Sequence, residues 1–370
     1  MARKNEHKTL TLATAFSGIG AIEHALKRMR VEHELVFASD NDPLVKQSYA
    51  ANYDVEKLRW FDLVQSIDGT QFEDKIDLFV GGTPCQSFSM VGKRRGLEDV
   101  RGTLFYEFAR LVKEMRPKAF IFENVKGLLS HDSGATWKVI RKTFDTLGYK
   151  YYSQVLNAKN YGVPQHRERL FVVGFRDERK FDFPSPIELK RTMQDLLDDS
   201  PGSKYYLPEK GVEFVTKQKN LDKRYTQING EVALCQKANQ QFNWHGDFVF
   251  EPVGHVDEKY FLSSKVARYV LATGTKNFHS EPKTDLEVAR PILATMAKMH
   301  RAGVDNYITR DGRIRRLTPR ECLRLMGFDD TFKIAVSDTQ MYRQAGNSIV
   351  VDVLIHILQN MGVDSKGITL

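Results

Sequence analysis

Residues 10–20 read Leu10-Thr-Leu-Ala-Thr-Ala-Phe-Ser-Gly-Ile-Gly20, and residues 21–30 continue in a helical pattern. This predicts a buried strand, a glycine turn and a helix, because glycine permits a tight turn and leaves amides exposed at the helix N-terminus. The alternation recurs outward from this stretch. Further strands are predicted at 34–40, 76–81, 118–123, 151–157 and 170–175, and further helices at 43–52, 103–115 and 135–147. The last two helices end at Arg116-Pro117 and Leu147-Gly148, both stop signals. Strands alternating with helices predict an α/β fold, a parallel sheet with helices on its faces.

From about residue 176 the alternation is lost. Phe183-Pro-Ser-Pro186 marks a boundary, and irregular polar sequence continues to about residue 289, which predicts a smaller, loop-rich second domain. Helical periodicity returns at 318–326 and 348–361. The expected division is therefore 1–185, completed by 337–370, against 186–336.

A chain of 370 residues, 41% hydrophobic and 28% charged, has ample material for a core and matches an ordinary globular composition. Disorder, collagen and membrane-spanning helices are excluded as classes. Met1 to Lys8 and the apolar run after it mimic a signal peptide, but Ser17 and Gly18 break the run, so a buried strand fits better. Cys85, Cys235 and Cys322 are an odd number with no Cys-x-x-Cys pair. That argues against a disulfide framework or zinc ribbon, leaves no metal site expected, and points to a reducing compartment. The net charge of +8 favours polyanionic partners, although such an excess also describes an ordinary solvated face.

The turn Phe16–Gly20 lacks the third glycine of a dinucleotide fingerprint, so it reads either as a plain turn or as a ligand cradle. Asp40 closes the second strand region about 20 residues on, where a carboxylate accepts ribose hydroxyls or caps the helix before Pro43. Asp62, in Trp60-Phe-Asp-Leu63, suits an adenine amino group or a solvated turn. Together these features point to an adenosine-containing cofactor. Gly81-Gly-Thr-Pro-Cys-Gln-Ser-Phe-Ser89 puts Cys85 at a strand's carboxyl end, where open α/β sheets bind ligands; a buried structural cysteine is the alternative. Glu123-Asn-Val125 closes the next strand. In Gln165-His-Arg-Glu-Arg169 alternate residues share a face, as a site or as solvated surface.

In this order and spacing the chain resembles the DNA (cytosine-5) methyltransferases nearly end to end. Phe16–Gly20, Thr83-Pro-Cys-Gln-Ser87, Arg101-Gly-Thr-Leu-Phe105, Glu123-Asn-Val-Lys126 and Gln165–Arg169 follow the family order. The segment from Arg316 to Phe328 and Gln344-Ala-Gly-Asn-Ser348 complete it. Small departures are Ser17 and Ala21 in the first loop, Asp40 in place of the usual glutamate, and His166 in a basic slot.

The resemblance implies a Rossmann-like sheet using S-adenosyl-L-methionine, with S-adenosyl-L-homocysteine as product, and a target-recognition domain in the irregular segment. Catalysis is implied for Cys85, Glu123, Arg167 and Arg169. Cofactor contacts are implied for Phe16, Gly18, Ile19, Gly20, Asp40, Asn41, Asp62, Leu63, Pro84, Leu104, Asn347 and Ser348, and DNA contacts for Gln86, Ser87, Lys93, Arg94 and Arg95. Double-stranded DNA is the implied substrate of a cytoplasmic monomer in a bacterial or phage-infected cell, with no membrane. A restriction endonuclease sharing the site is compatible with that context. The family's tRNA-methylating branch is the alternative; it carries a Cys-Phe-Thr motif in the second domain that this chain lacks. A catalytically silent nucleic-acid-binding homologue is opposed by intact Cys85, Glu123, Arg167 and Arg169.

Overall fold

The computed structural model describes residues 9–54, 59–83, 104–198, 226–228, 246–248, 262–272, 274–275, 278–279, 282–295, 300, 304–310, 313–316, 318–365 and 367–368. The first seven strands are β1 (Leu10–Ala15), β2 (His33–Ser39), β3 (Arg59–Phe61), β4 (Leu78–Gly82), β5 (Ala119–Val125), β6 (Lys150–Asn157) and β7 (Glu168–Phe175). Among the described residues, the helices of at least six residues are α1 (Ala21–Met29), α2 (Pro43–Ala50), α3 (Leu104–Met115), α4 (Ala135–Asp145), α5 (Ser264–Val270), α6 (Pro319–Arg324), α7 (Asp338–Asn347) and α8 (Val351–Asn360). None of them is long and apolar enough to cross a membrane.

The chain divides into two compact units. The first comprises residues Met1–Asn157, Glu168–Pro186 and Val351–Leu370, and the second Ala158–Arg167 with Ile187–Val350. Residues 337–350, expected with the first part, cluster with the second, as do 158–167.

Strands β1 to β7 form one mixed sheet in the order β3-β2-β1-β4-β5-β7-β6. Strands β1 to β5 pair in parallel, whereas β7 runs antiparallel to both β5 and β6. The expectation of a parallel sheet is thus corrected at one edge. Strands β6 and β7 are joined by residues 158–167, too short for the helical crossover that parallel neighbours need.

Phenylalanines fill one face of this sheet. Phe79 of β4 stacks on Phe108 of α3 with ring centroids 4.9 Å apart, and Phe120 of β5 on Phe144 of α4 at 5.5 Å. Phe105 and Phe122 join them, fully buried. Each such ring stabilises the fold by about 1.5–3 kcal/mol through burial alone. Helix α8 packs on α1, where Arg28 donates to both carboxylate oxygens of Asp352 at 2.8 and 3.0 Å.

In the second unit, α6 starts with a capping box: Thr318 accepts from the Glu321 amide and Glu321 accepts from the Thr318 amide. Glu321 also accepts from the Asp198 amide at 2.7 Å, and Arg324 pairs with Asp198 at 2.7 Å. Cys322 is a buried free thiol.

Candidate active site

The carboxyl ends of β1, β2 and β3 carry Phe16, Gly18, Ile19, Gly20, Asp40, Asn41, Asp62 and Leu63 from the set of residues expected to hold a cofactor. After β1 the backbone enters the left-handed region at Phe16 (φ 55°), Gly18 (54°) and Gly20 (79°). A side chain on Gly20 would meet the Tyr53 ring at 2.3 Å, and the Tyr53 hydroxyl donates to the Gly20 carbonyl at 2.8 Å. A Cβ on Gly18 would meet nothing within 4 Å, so that side of the turn opens outward. The Gly18 amide donates to Asp40 at 3.1 Å, as does the Asp42 amide. Helix α2 is capped by Asp42, not Asp40: its side chain accepts from the Leu44 amide at 2.9 Å. Asp40 therefore serves the turn.

Asp62 follows β3, exposed, and accepts from Lys46 at 3.1 Å and from the Trp60 indole at 3.0 Å. Beside it Leu63 leaves 56% of its surface exposed. An apolar side chain next to an acceptor suits a purine ring bearing an amino group, and the open glycine turn with Asp40 suits a ribose and its chain; these residues fit an adenosine-containing cofactor. Phe16 and Leu104 are partly buried against the aromatic core, Asn41 is exposed, and Ile19 is buried, which leaves its backbone to face a ligand.

Sequence reasoning missed what lies under this turn. Glu23 is 1% exposed and accepts from the Tyr49 hydroxyl at 2.6 Å and the Thr14 hydroxyl at 3.3 Å. Burial pushes its carboxyl up to about 7, and burial with the Glu23 charge holds the Tyr49 phenol well above its usual value. An acidic residue among Ala21, Ile22, Ala25 and Leu26 on the buried face of α1 was the available signal.

The second cluster sits at the carboxyl ends of β4 and β5. Glu123 pairs with Arg169 of β7 at 3.2 Å, both partly buried. Gly82 lies opposite Glu123 in the ladder, and a Cβ there would stand 3.0 Å from the Glu123 carboxylate. Asn124 donates to the Thr83 carbonyl at 2.9 Å and to its hydroxyl at 3.2 Å. The end of β5 thereby grips the residue two positions before Cys85. Pro84, Cys85, Gln86, Ser87, Lys93, Arg94 and Arg95 lie outside the described residues, as does Cys235.

Arg167 has a task that strand alternation did not suggest. In the second unit it is 3% exposed, and its Nη2 donates to the carbonyls of Gly346 at 3.0 Å and Ser348 at 2.8 Å. Those carbonyls flank the exposed Asn347, and Ser348 itself is buried. Gly346 is required by contact: a Cβ would meet the Ala294 amide nitrogen at 2.3 Å. Gln165, fully buried, donates to the Leu325 carbonyl at 2.7 Å and accepts from the Ile292 amide at 3.1 Å. Gln165 and Arg167 are thus internal clamps, whereas Arg169 belongs to the Glu123 cluster.

Sheet order and glycine turn define the class as the S-adenosylmethionine-dependent methyltransferase fold. Solved structures with this fold include the Entamoeba histolytica methyltransferase EhMeth, with a TM-score of 0.65 and 16% identity over 95% of this chain and 98% of that one. The S. pombe Dnmt2 methyltransferase matches with a TM-score of 0.65 and 18% identity over the same shares. The sequence profile of the C-5 cytosine-specific DNA methylases matches residues 10–363, and the chain belongs to that family. It is 33% identical to the type II methyltransferase M.HhaI of Haemophilus parahaemolyticus, over 94% of this chain and 92% of the relative. It is also 32% identical to the orphan methyltransferase M.SPRI of Bacillus phage SPR, over 95% and 97%.

Proposed function

We propose that this enzyme methylates carbon 5 of a flipped-out cytosine in a short duplex DNA sequence, with Cys85 as the nucleophile. The observation that carries the reading is the Glu123–Arg169 pair beside the Asn124 grip on Thr83. It sets a carboxyl and a guanidinium at the strand ends that lead into Pro84-Cys85.

Carbon 5 of cytosine is a weak nucleophile, and addition of the Cys85 thiolate to carbon 6 makes the ring electron-rich. Glu123 holds or donates a proton at ring nitrogen 3 as charge grows there. Arg169 keeps the Glu123 carboxyl in place and meets the base carbonyl. S-adenosyl-L-methionine, when bound by the Phe16–Gly20 turn, Asp40 and Asp62, supplies the methyl group and leaves as S-adenosyl-L-homocysteine. A water then takes the carbon 5 proton, the carbon 6–sulfur bond breaks, and the thiolate returns. A stacked base is inaccessible to these groups, which is the reason for flipping. Ser87, Lys93, Arg94 and Arg95 are assigned to phosphates, with Gln86 beside the base, and residues 186–336 to target recognition.

The test is expression in a methylation-deficient host, with 5-methylcytosine measured by nucleoside mass spectrometry in DNA and RNA separately. Enrichment in DNA with wild type and none with Cys85→Ala is expected, while cofactor affinity of the variant stays within a few-fold. Enrichment confined to RNA, or retained turnover in Cys85→Ala, overturns the reading.

A further inference from the structure

A buried polar chain runs beneath the cofactor turn and has no part in the chemistry above. Glu23 Oε1 takes the Tyr49 and Thr14 hydroxyls, and its Oε2 is buried with no hydrogen-bond partner among the described residues. Thr14 Oγ1 lies 2.7 Å from Ser17 Oγ. Ser17 Oγ lies 3.2 Å from the Ser39 carbonyl and accepts from the Ser39 amide at 2.9 Å. Ser39 directly precedes Asp40, and Ser17 directly precedes Gly18, whose amide holds Asp40.

Each hydroxyl has one proton, so the chain from Glu23 to Ser39 runs in one of two directions. With the carboxyl ionised, Thr14 donates to Glu23 and Ser17 donates to Thr14. The Ser17 proton is then used away from Ser39. With one proton added from solvent, Glu23 donates to Thr14, Thr14 to Ser17, and Ser17 to the Ser39 carbonyl. That direction adds a second donor at the Ser39 carbonyl, which already accepts from the Ser17 amide at 2.9 Å, and so strengthens the tie between the glycine turn and the strand end bearing Asp40.

We propose that Glu23 is a positioning residue for the cofactor turn, setting through the Thr14 and Ser17 hydroxyls whether the Ser17 hydroxyl adds a donated bond to the backbone pairing that already joins Ser17 to Ser39. The proposal rests on the reading of Phe16–Gly20 as that turn. Burial brings the Glu23 carboxyl to about 7, so both directions are populated near neutrality. The titratable group facing it from α2 is Tyr49, backed by Tyr53 at a ring separation of 4.8 Å. From α8 come Asp352, paired with Arg28, and His356, which burial holds below its usual value. Both gather near Arg28, about 7.5 Å further along α1. At β1 the near charge is Asp40, held by Gly18, while Asp77 and Lys118 pair at the far end, where Asp77 bonds Thr11.

The experiment titrates S-adenosyl-L-homocysteine calorimetrically into wild type, Glu23→Gln and Thr14→Val from about pH 6 to about pH 8, with thermal unfolding of the same unliganded proteins. Wild-type affinity is expected to weaken about fivefold across that range, the worth of one hydrogen bond. Glu23→Gln does not titrate, and its affinity is expected to stay flat across the range. Thr14→Val breaks the chain and keeps the weak value. In unfolding, a folded-state carboxyl raised above its unfolded value loses stability as pH rises from the ordinary carboxylate range to about 7. Wild type should therefore fall relative to Glu23→Gln over that interval. Parallel binding profiles for the three proteins overturn the proposal. Absence of binding by all three removes the cofactor reading itself, and a pH-independent difference in unfolding then removes the Glu23 proposal as well.

Discussion

Gly20 and Gly18 stand two residues apart in the same turn and answer to different constraints. Both have positive φ, but only Gly20 has a ring against the place of its missing side chain. Gly18→Ala carries the left-handed penalty of about 1–2 kcal/mol. Gly20→Ala adds displacement of Tyr53, for a further cost of about 1–3 kcal/mol and loss of the hydrogen bond from the Tyr53 hydroxyl. The expected result is a larger fall in melting temperature for Gly20→Ala than for Gly18→Ala, together with weaker binding of S-adenosyl-L-homocysteine. Equal melting temperatures would show that Tyr53 yields freely. At this scale the sequence displayed the turn and its carboxylates but concealed the braces. Tyr49, on α2, and Tyr53, just after it, lie roughly 30 positions away, and no spacing rule links them to Glu23 and Gly20.

Among the elements, β7 separates two arginines that a strand pattern treats as equivalent. Arg169 lies within the strand and meets Glu123, while Arg167 precedes it and gathers carbonyl oxygens of the second unit. A buried guanidinium bridging several carbonyls has no lysine substitute, since lysine offers a point charge where a planar fork is needed. Arg167→Lys is expected to destabilise the protein by about 3 kcal/mol in chemical denaturation. Arg169→Lys should leave the denaturation midpoint nearly unchanged and lower kcat; the reverse pattern would exchange the two assignments. Strands β1, β4, β5 and β7 were legible because their apolar runs are buried on both faces. Strand β3 was not: Arg59, Trp60 and Phe61 are three residues, exposed or half-buried, and carry no period. Helix α7 escaped for a similar reason, since polar Gln344 shares its buried side with Met341, Tyr342 and Ala345. Strand direction was also hidden, because a run buried on both faces reads alike in a parallel or an antiparallel neighbour.

For the whole molecule, the net charge of +8 on 370 residues bears on encounter with a polyanion rather than on fold. If phosphate contacts position the substrate, methyl transfer at subsaturating DNA should fall steeply as salt rises from about 50 to about 200 mM, on the order of tenfold or more. A flat response would remove the basic side chains from the account of binding. The chain also passes between the two units four times, after residues 157, 167, 186 and 350. Heredity and engineering alike meet this as a question of what counts as a cassette. A crossover that imports residues 187–350 from a relative leaves behind the native ten-residue segment 158–167, and with it Gln165 and Arg167, which clamp Ile292, Leu325, Gly346 and Ser348. Exchange of this segment therefore favours donors whose residues 158–167 already match, or double recombinants that carry both pieces together.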